Sequence, residues 1–147
     1  MNVLAIDTNP ERRRLIGEAL SWFDDEHNFF EAEGLGSTEE IIRTVDLRLV
    51  IVGPELPEET LAALVYLRGR LPPSALLAST RMSVFERDAQ TRLLDSGADL
   101  VFDYRMSATQ LALLLRPYLG RPAIQVEPAN AFEFPAIRHS GADLIAA

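Results

Sequence analysis

Short apolar runs alternate along the chain with amphipathic segments in which apolar residues recur every three or four positions. The run at residues 49–52 is continuous and largely β-branched, and Gly53 and Pro54 end it abruptly. Such a run is typical of a strand buried on both faces of a parallel sheet. The same pattern predicts five strands, at residues 2–6, 29–33, 49–52, 75–79 and 100–102.

Helices are predicted between these strands and after the last one. Asn9 and Pro10 suit the start of the first helix, and Ser37 with Glu40 forms a capping-box pattern for the second, while Pro57 opens the third. Apolar residues at helical spacing define the faces that we expect to be buried. These residues are Leu15, Ile16, Ala19, Leu20 and Phe23; Ile41, Ile42 and Val45; Leu61, Leu64, Val65 and Leu71; Val84, Phe85, Ala89, Leu93 and Leu94; and Leu111, Leu114, Leu115, Tyr118 and Leu119.

The ends of the last two helices carry their own signals. Ser83 is expected to cap the fourth helix, Gly97 to follow its end in the left-handed conformation, and Ser107 to cap the fifth. Strands and helices that alternate with short connections imply parallel β–α units with right-handed crossovers and helices on both faces. We therefore expect an α/β domain over residues 1–120, followed by a C-terminal tail or linker over residues 121–147.

Composition and charge narrow the classes of partner. The 147 residues are 48% apolar, enough for one domain with a real core, and no apolar run approaches the ~20 residues of a membrane span. A net charge of −8 argues against nucleic-acid binding, because phosphates require a basic face. The absence of cysteine excludes disulfide and thiolate chemistry and fits a cytoplasmic location.

Three segments resemble the response-regulator receiver family. VLAIDTNPERR resembles the family's first strand and acidic turn, LVIVGPELP its third strand and following loop, and SGADLVFDYRMSATQL its segment from the fourth helix into the fifth. The resemblance extends from residue 1 to about residue 119. It implies a flavodoxin-like (βα)5 fold, a doubly wound parallel sheet of order 2-1-3-4-5 in a three-layer α/β/α arrangement.

Receivers of this family phosphorylate themselves on an aspartate. Two acids after the first strand and the acceptor after the third hold Mg²⁺, while a hydroxyl residue and a lysine contact the phosphoryl oxygens. By position, the resemblance places Asp7 and Thr8 at the two acids, Gly53 at the acceptor and Tyr104 at the lysine. The hydroxyl position falls on Ser79 or Thr80, so the corresponding site comprises Asp7, Thr8, Gly53, Ser79, Thr80 and Tyr104.

These positions lack the groups that phosphoryl transfer requires. Gly53 supplies no nucleophile, Asp7 alone is a poor Mg²⁺ ligand set, and Tyr104 cannot replace an ammonium ion. We therefore expect a pseudo-receiver that is not an enzyme and has no catalytic residue, bound metal or cofactor. One alternative is an atypical phosphoacceptor that uses Asp7 or Glu55, and another is a flavodoxin-like domain that binds a small ligand at the strand ends.

Each of these residues also has a structural interpretation. Asp7 caps the turn into the first helix, Gly53 permits a turn with positive φ, and Tyr104 fills the vacated pocket or lies on the surface. The arginines at 12–14 open the first helix, where a solvated face is favoured over a phosphate site.

The resemblance, together with these departures from the family's pattern, predicts a phosphorylation-independent module that acts through protein–protein contact in bacterial signalling or assembly. Such domains precede pilus-assembly ATPases and DNA-binding regulators. The face that receivers commonly use for contacts surrounds the fifth strand, and an ordinary exposed face is the alternative. We expect a protein partner or a second copy of the chain there, on Arg87, Arg92, Tyr104, Arg105 and Met106, with no binding of nucleic acid and no membrane insertion.

Overall fold

Parallel strands and helices alternate in the computed structural model, which describes residues 1–23, 26–56, 59–81 and 87–119. The strands are β1 (Asn2–Ile6), β2 (Asn28–Ala32), β3 (Leu47–Val52), β4 (Leu76–Arg81) and β5 (Leu100–Asp103). The helices are α1 (Pro10–Leu20), α2 (Glu39–Thr44), α3 (Thr60–Arg70), α4 (Arg87–Asp95) and α5 (Ala108–Leu119), with a short 3-10 helix (Leu35–Ser37) before α2. None of the described helices combines the length and the apolar character that crossing a bilayer requires.

The five strands form one parallel sheet of order β2-β1-β3-β4-β5. This order confirms the flavodoxin-like (βα)5 fold that the sequence predicts. Three strands, β3, β4 and β5, are longer than predicted because the sheet supplies their added residues with partners. Leu47 pairs with Asn2 at the start of β3, and Thr80 pairs with Phe102 near the end of β4.

The core lies on both faces of the sheet. On one face Val3, Ala5, Leu49 and Ile51 pack with residues of α1 and α5, while on the other face Leu4, Ile6, Val50 and Val52 pack with residues of α3. The predicted burial of residues 49–52 on both faces is therefore confirmed. Asp7 and Gly53 therefore follow strands that are packed on both faces.

Side-chain caps start two helices as the sequence predicts. The Asn9 side chain accepts a hydrogen bond from the Glu11 backbone N–H at 2.8 Å. Ser107 Oγ accepts from the Gln110 N–H at 3.2 Å, and Gln110 Oε1 accepts from the Ser107 N–H at 3.0 Å. This reciprocal pair is a capping box that satisfies two N–H groups at the start of α5.

Two local predictions are wrong. Ser37 does not cap α2 but lies in the 3-10 helix, so the N-cap is Thr38, whose hydroxyl donates to the Leu35 carbonyl at 2.7 Å. Val65 is 59% exposed, because the face of α3 that packs inward is the one that carries Ala63, Leu64 and Leu67. The predicted helix opening at Pro57, the Ser83 cap with Val84 and Phe85, and the tail at 121–147 lie outside the described residues.

Gly97 has the positive φ that the sequence predicts, at +126°. A Cβ at this position would lie 2.9 Å from Arg68 Cβ and 3.3 Å from the Leu64 carbonyl oxygen. We expect Gly97→Ala to lower the free energy of unfolding by about 2 kcal/mol, because alanine is strained at positive φ. The measurement is urea denaturation.

The matched control is Gly69→Ala in α3, where an added Cβ would have no neighbour within 4 Å. This change is expected to be neutral or to stabilise by up to about 1 kcal/mol, because alanine favours helix. Equal stability of the two variants would contradict the conformation assigned to Gly97.

Candidate functional site

The carboxyl ends of β1, β3 and β4 meet at one edge of the sheet, where ligands bind in open parallel sheets. Asp7 follows β1 and Gly53 follows β3, and the Gly53 N–H donates to the Ile6 carbonyl at 2.8 Å. Thr80 lies near the end of β4, with its hydroxyl donating to the Val52 carbonyl at 3.2 Å. The structure therefore brings Asp7, Gly53 and Thr80 together, as the sequence predicts for three positions of one site.

Asp7 forms a bidentate ion pair with Arg12. Arg12 Nε donates to Asp7 Oδ2 at 2.7 Å, and Arg12 Nη2 donates to Asp7 Oδ1 at 3.1 Å. Oδ1 also accepts the Asn9 backbone N–H at 2.8 Å, which confirms that Asp7 caps the turn into α1. The Asp7 side chain is 2% exposed and that of Arg12 is 16% exposed, so the pair is shielded from water. Two-point pairing of this kind is among the stronger charged hydrogen bonds in proteins.

Arg12 also connects three segments around the site. Its Nη2 lies 3.7 Å from Glu55 Oε2 in the loop after β3, and its Cζ lies 5.9 Å from the centroid of the Tyr104 ring after β5. The pKa of Arg12 is raised, chiefly by its hydrogen bond with Asp7. The guanidinium is therefore a permanent positive charge at this edge of the sheet.

The expectation that the arginines at 12–14 form a solvated face is wrong for two of them. Arg13 donates to the Asp7 backbone carbonyl at 2.5 Å and to Glu31 Oε1 at 2.9 Å, with 13% of its side chain exposed. Arg14 is 81% exposed, as predicted. The reason is that only three residues separate the end of β1 from the start of α1, so the side chains of Arg12 and Arg13 in the first turn reach back to Asp7. Because the three residues are identical and consecutive, the sequence does not indicate which of them are shielded and which is exposed.

Gly53 is a glycine because the Asp7 carboxyl group occupies the space beside it. A Cβ built on Gly53 would overlap Oδ2 and Cγ of Asp7 and would lie 2.9 Å from Asp7 Cβ. The expected turn with positive φ is wrong, since among the described residues Gly97 is the glycine with that conformation. Position 53 therefore requires glycine because the Asp7 side chain approaches it closely in the folded chain.

The two candidate hydroxyl residues and Thr8 differ in what they contact. Ser79 pairs with Val52 in the register of β3 and β4, which places Thr80 opposite Gly53. Both hydroxyl residues are buried, and Ser79 Oγ lies 3.5 Å from the Thr80 carbonyl. Thr8 Oγ1 donates to the Glu55 carbonyl at 3.1 Å, which ties the loop after β3 to the end of β1. The register favours Thr80 as the hydroxyl residue of the site.

The candidate interaction face is only partly described. Tyr104 is half-buried and lies beside α1, while Arg105 is exposed and pairs with Asp103 at 2.9 Å. That hydrogen bond with Asp103 is the main reason that the pKa of Arg105 is raised. Met106 is half-buried against the core and Arg92 is exposed on α4. Arg87 begins the described part of α4, and its side chain lies outside the described structure.

An open groove of about 800 Å³ runs between α1 and the loop after β5. Its lining combines both signs of charge with one aromatic and one aliphatic side chain. The residues are Asn9, Glu11, Arg12, Arg14, Leu15, Glu18 and Tyr104. Tyr104 therefore contributes to a surface shared with α1.

The residues at this edge do not fit a divalent metal ion. Mg²⁺ prefers six oxygen ligands and retains several waters, and it is held in proteins by carboxylates. The carboxylate oxygens of Asp7 already accept three hydrogen bonds, and the position of the second acid is Thr8, whose hydroxyl donates a hydrogen bond to the Glu55 backbone carbonyl. Within the described part of the chain, no three carboxylate, histidine or cysteine side chains are grouped to hold a metal.

No protein-family model matches this sequence, and no curated protein matches it. Solved structures do share the fold. The isolated receiver domain of RcsB from Salmonella enterica serovar Typhimurium, in the presence of the phosphomimetic BeF3−, is 18% identical with a TM-score of 0.67, over 80% of this chain and 86% of that one. The receiver domain of a putative response regulator NarL from Mycobacterium tuberculosis is 18% identical with a TM-score of 0.64, over 76% and 89%.

A third similar structure is an atypical orphan response regulator, described as revealing a phosphorylation-independent regulatory mechanism. It is 19% identical with a TM-score of 0.64, over 81% of this chain and 95% of that one. Identities this low establish a shared architecture and leave activity open. The chain has the fold of response-regulator receiver domains.

Proposed function

We propose that this chain is a receiver-like signalling module that acts through protein–protein interaction and is not phosphorylated. The observation that carries the proposal is the arrangement at the acceptor position. Gly53 has no side chain, and the Asp7 carboxyl group, already paired with Arg12, fills the adjoining space. Phosphoryl transfer needs a nucleophile, a metal and a cation on the transferred group, so this edge of the sheet is unsuited to it.

An atypical acceptor is disfavoured by the surroundings of the two candidate carboxylates. Both oxygens of Asp7 accept hydrogen bonds, and its side chain is almost wholly buried. A phosphorylating donor would have to displace Arg12 to reach it. Glu55 is 63% exposed and has one arginine at 3.7 Å, so it resembles an ordinary surface carboxylate with little to activate it.

A small-ligand site at the strand ends is disfavoured by shape. Ligand pockets enclose most of their ligand and are mainly apolar with a few polar groups. Here the Asp7–Arg12 pair lies at the strand ends, and the neighbouring groove on α1 is open and carries both signs of charge. A surface of that character suits another protein better than a small molecule.

The similar orphan regulator, described as using a phosphorylation-independent mechanism, provides a precedent for this use of the fold. We place the module in the bacterial cytoplasm, within a protein of pilus assembly or transcriptional regulation. This placement rests on the resemblance of the sequence to the receiver family, whose domains precede pilus-assembly ATPases and DNA-binding regulators.

The test is phosphodonor treatment of the full chain. We expect no phosphoryl mass gain after incubation with acetyl phosphate and MgCl₂, and no change in sedimentation coefficient with beryllofluoride, because the site lacks an available nucleophile. Intact-mass spectrometry and analytical ultracentrifugation measure the two quantities, with an aspartate-bearing receiver as positive control. A phosphoryl group mapped to Asp7 or Glu55 would overturn the proposal.

A further inference from the structure

We infer that the positive charge of the Arg12 guanidinium prevents divalent metal ions from binding at this site. The inference rests on the proposed function, since it concerns the same site and gives one reason why that site is not phosphorylated. It concerns metal exclusion, however, and can fail independently of phosphorylation.

The first argument is position. Arg12 lies between the two carboxylates at this edge of the sheet, with Nε 2.7 Å from Asp7 Oδ2 and Nη2 3.7 Å from Glu55 Oε2. A metal ion bound to either carboxylate would have to approach the guanidinium closely. Two cations at such a distance repel each other, and the repulsion is strong beside Asp7, whose side chain is 2% exposed.

The second argument is permanence. An arginine guanidinium does not lose its proton in proteins, so no accessible pH removes this charge. Arg12 makes two hydrogen bonds with Asp7, and its Cζ lies near the Tyr104 ring. The cation is therefore held in place and cannot be exchanged as a metal ion can.

The third argument is mutual fit. The Asp7 carboxyl group can lie where it does because position 53 has no Cβ. In that place it accepts Arg12 and the Asn9 N–H together. Gly53, Asp7 and Arg12 thus form one arrangement. In it the Arg12 guanidinium occupies the position beside the Asp7 carboxylate that a bound metal ion would need.

The neighbouring arginine provides a matched control. Arg13 donates to the Asp7 backbone carbonyl and to Glu31, and it has no described contact with the Asp7 carboxylate. Replacing Arg13 removes the same charge from the same turn of α1 but leaves the Asp7–Arg12 pair intact.

The experiment measures the thermal midpoint in MnCl₂ for the wild type, Arg12→Ala, Arg13→Ala and the double variant Arg12→Ala/Asp7→Asn. We expect the midpoint of Arg12→Ala to rise by about 4 °C at manganese concentrations about ten times its dissociation constant. The wild type, Arg13→Ala and the double variant should show no comparable rise, because either the guanidinium remains or the carboxylate is gone.

Arg12→Gln serves as a second variant if Arg12→Ala does not fold, since glutamine keeps a hydrogen-bond donor without the charge. The bound manganese is also counted by electron paramagnetic resonance. Manganese binding at Asp7 in the wild type would overturn the inference. So would a rise in the thermal midpoint that is equal in all four proteins, or one that is absent from both Arg12→Ala and Arg12→Gln. Manganese binding without phosphoryl uptake would leave the proposed function standing, whereas phosphoryl uptake would defeat that function whatever the metal result.

Discussion

Replacing Arg12 by methionine is expected to lower the free energy of unfolding by about 3 kcal/mol. The change removes one partner of a shielded ion pair and leaves the Asp7 carboxylate, 2% exposed, without its counter-charge. Methionine retains an apolar stem, so the loss reports the charge more than the packing. Urea denaturation followed by circular dichroism and by the fluorescence of Trp22, the one tryptophan of the chain, measures the effect.

The two partners of the pair are expected to respond unequally. Asp7→Asn keeps an oxygen that can accept the Asn9 N–H, and it leaves Arg12, which is 16% exposed and near Glu55, able to turn toward water. We therefore expect Asp7→Asn to cost about 1 kcal/mol. The double variant Arg12→Met/Asp7→Asn should resemble Asp7→Asn, so that the two changes are coupled by about 3 kcal/mol.

Arg14→Met is the matched surface control. Arg14 lies in the same turn of α1 and is 81% exposed, so its replacement should change stability by no more than about 0.5 kcal/mol. If Arg12→Met costs as little as Arg14→Met, the Asp7–Arg12 pair does not stabilise the fold in the way described above.

The elements of the fold could be predicted because their signals are local. The continuous apolar run at 49–52 requires burial on both faces, and the side chains of Asn9 and Ser107 satisfy N–H groups two or three residues away. Local reasoning fails where the apolar residues of one helix fit more than one face. Val65 follows Leu61 at helical spacing and is predicted to point inward, but α3 buries the face that carries Ala63, Leu64 and Leu67.

The site could be located but not understood from the sequence. The resemblance to receivers places Asp7 and Gly53 at neighbouring strand ends, and the structure confirms that they meet. The role of Arg12 could not be predicted, because it depends on the angle at which α1 leaves the sheet edge. The reason for glycine at position 53 is likewise tertiary, since it depends on a side chain 46 positions away in the sequence, the difference between 53 and 7.

Placing an aspartate at position 53 is expected to destabilise the fold without enabling phosphoryl uptake. A Cβ there would overlap the Asp7 carboxyl group, so Gly53→Ala should already cost about 2 kcal/mol through overpacking. Gly53→Asp adds a second carboxylate beside a buried one and should cost about 3 kcal/mol or more. Gly36→Ala, with no neighbour within 4 Å of the added Cβ, is the control and should be close to neutral.

A compensating change at Asp7 distinguishes this explanation from a general intolerance of side chains at position 53. In Asp7→Ala/Gly53→Asp the overlapping Oδ2 and Cγ are gone, and the new carboxylate can pair with Arg12 in their place. We expect the double variant to regain about 2 kcal/mol relative to Gly53→Asp. Recovery should be incomplete because the Cβ atoms at positions 7 and 53 still lie 2.9 Å apart before relaxation. Urea denaturation and acetyl phosphate labelling are measured on the same samples, and a stable, readily phosphorylated Gly53→Asp protein would show that the site is not closed by Asp7 and Arg12.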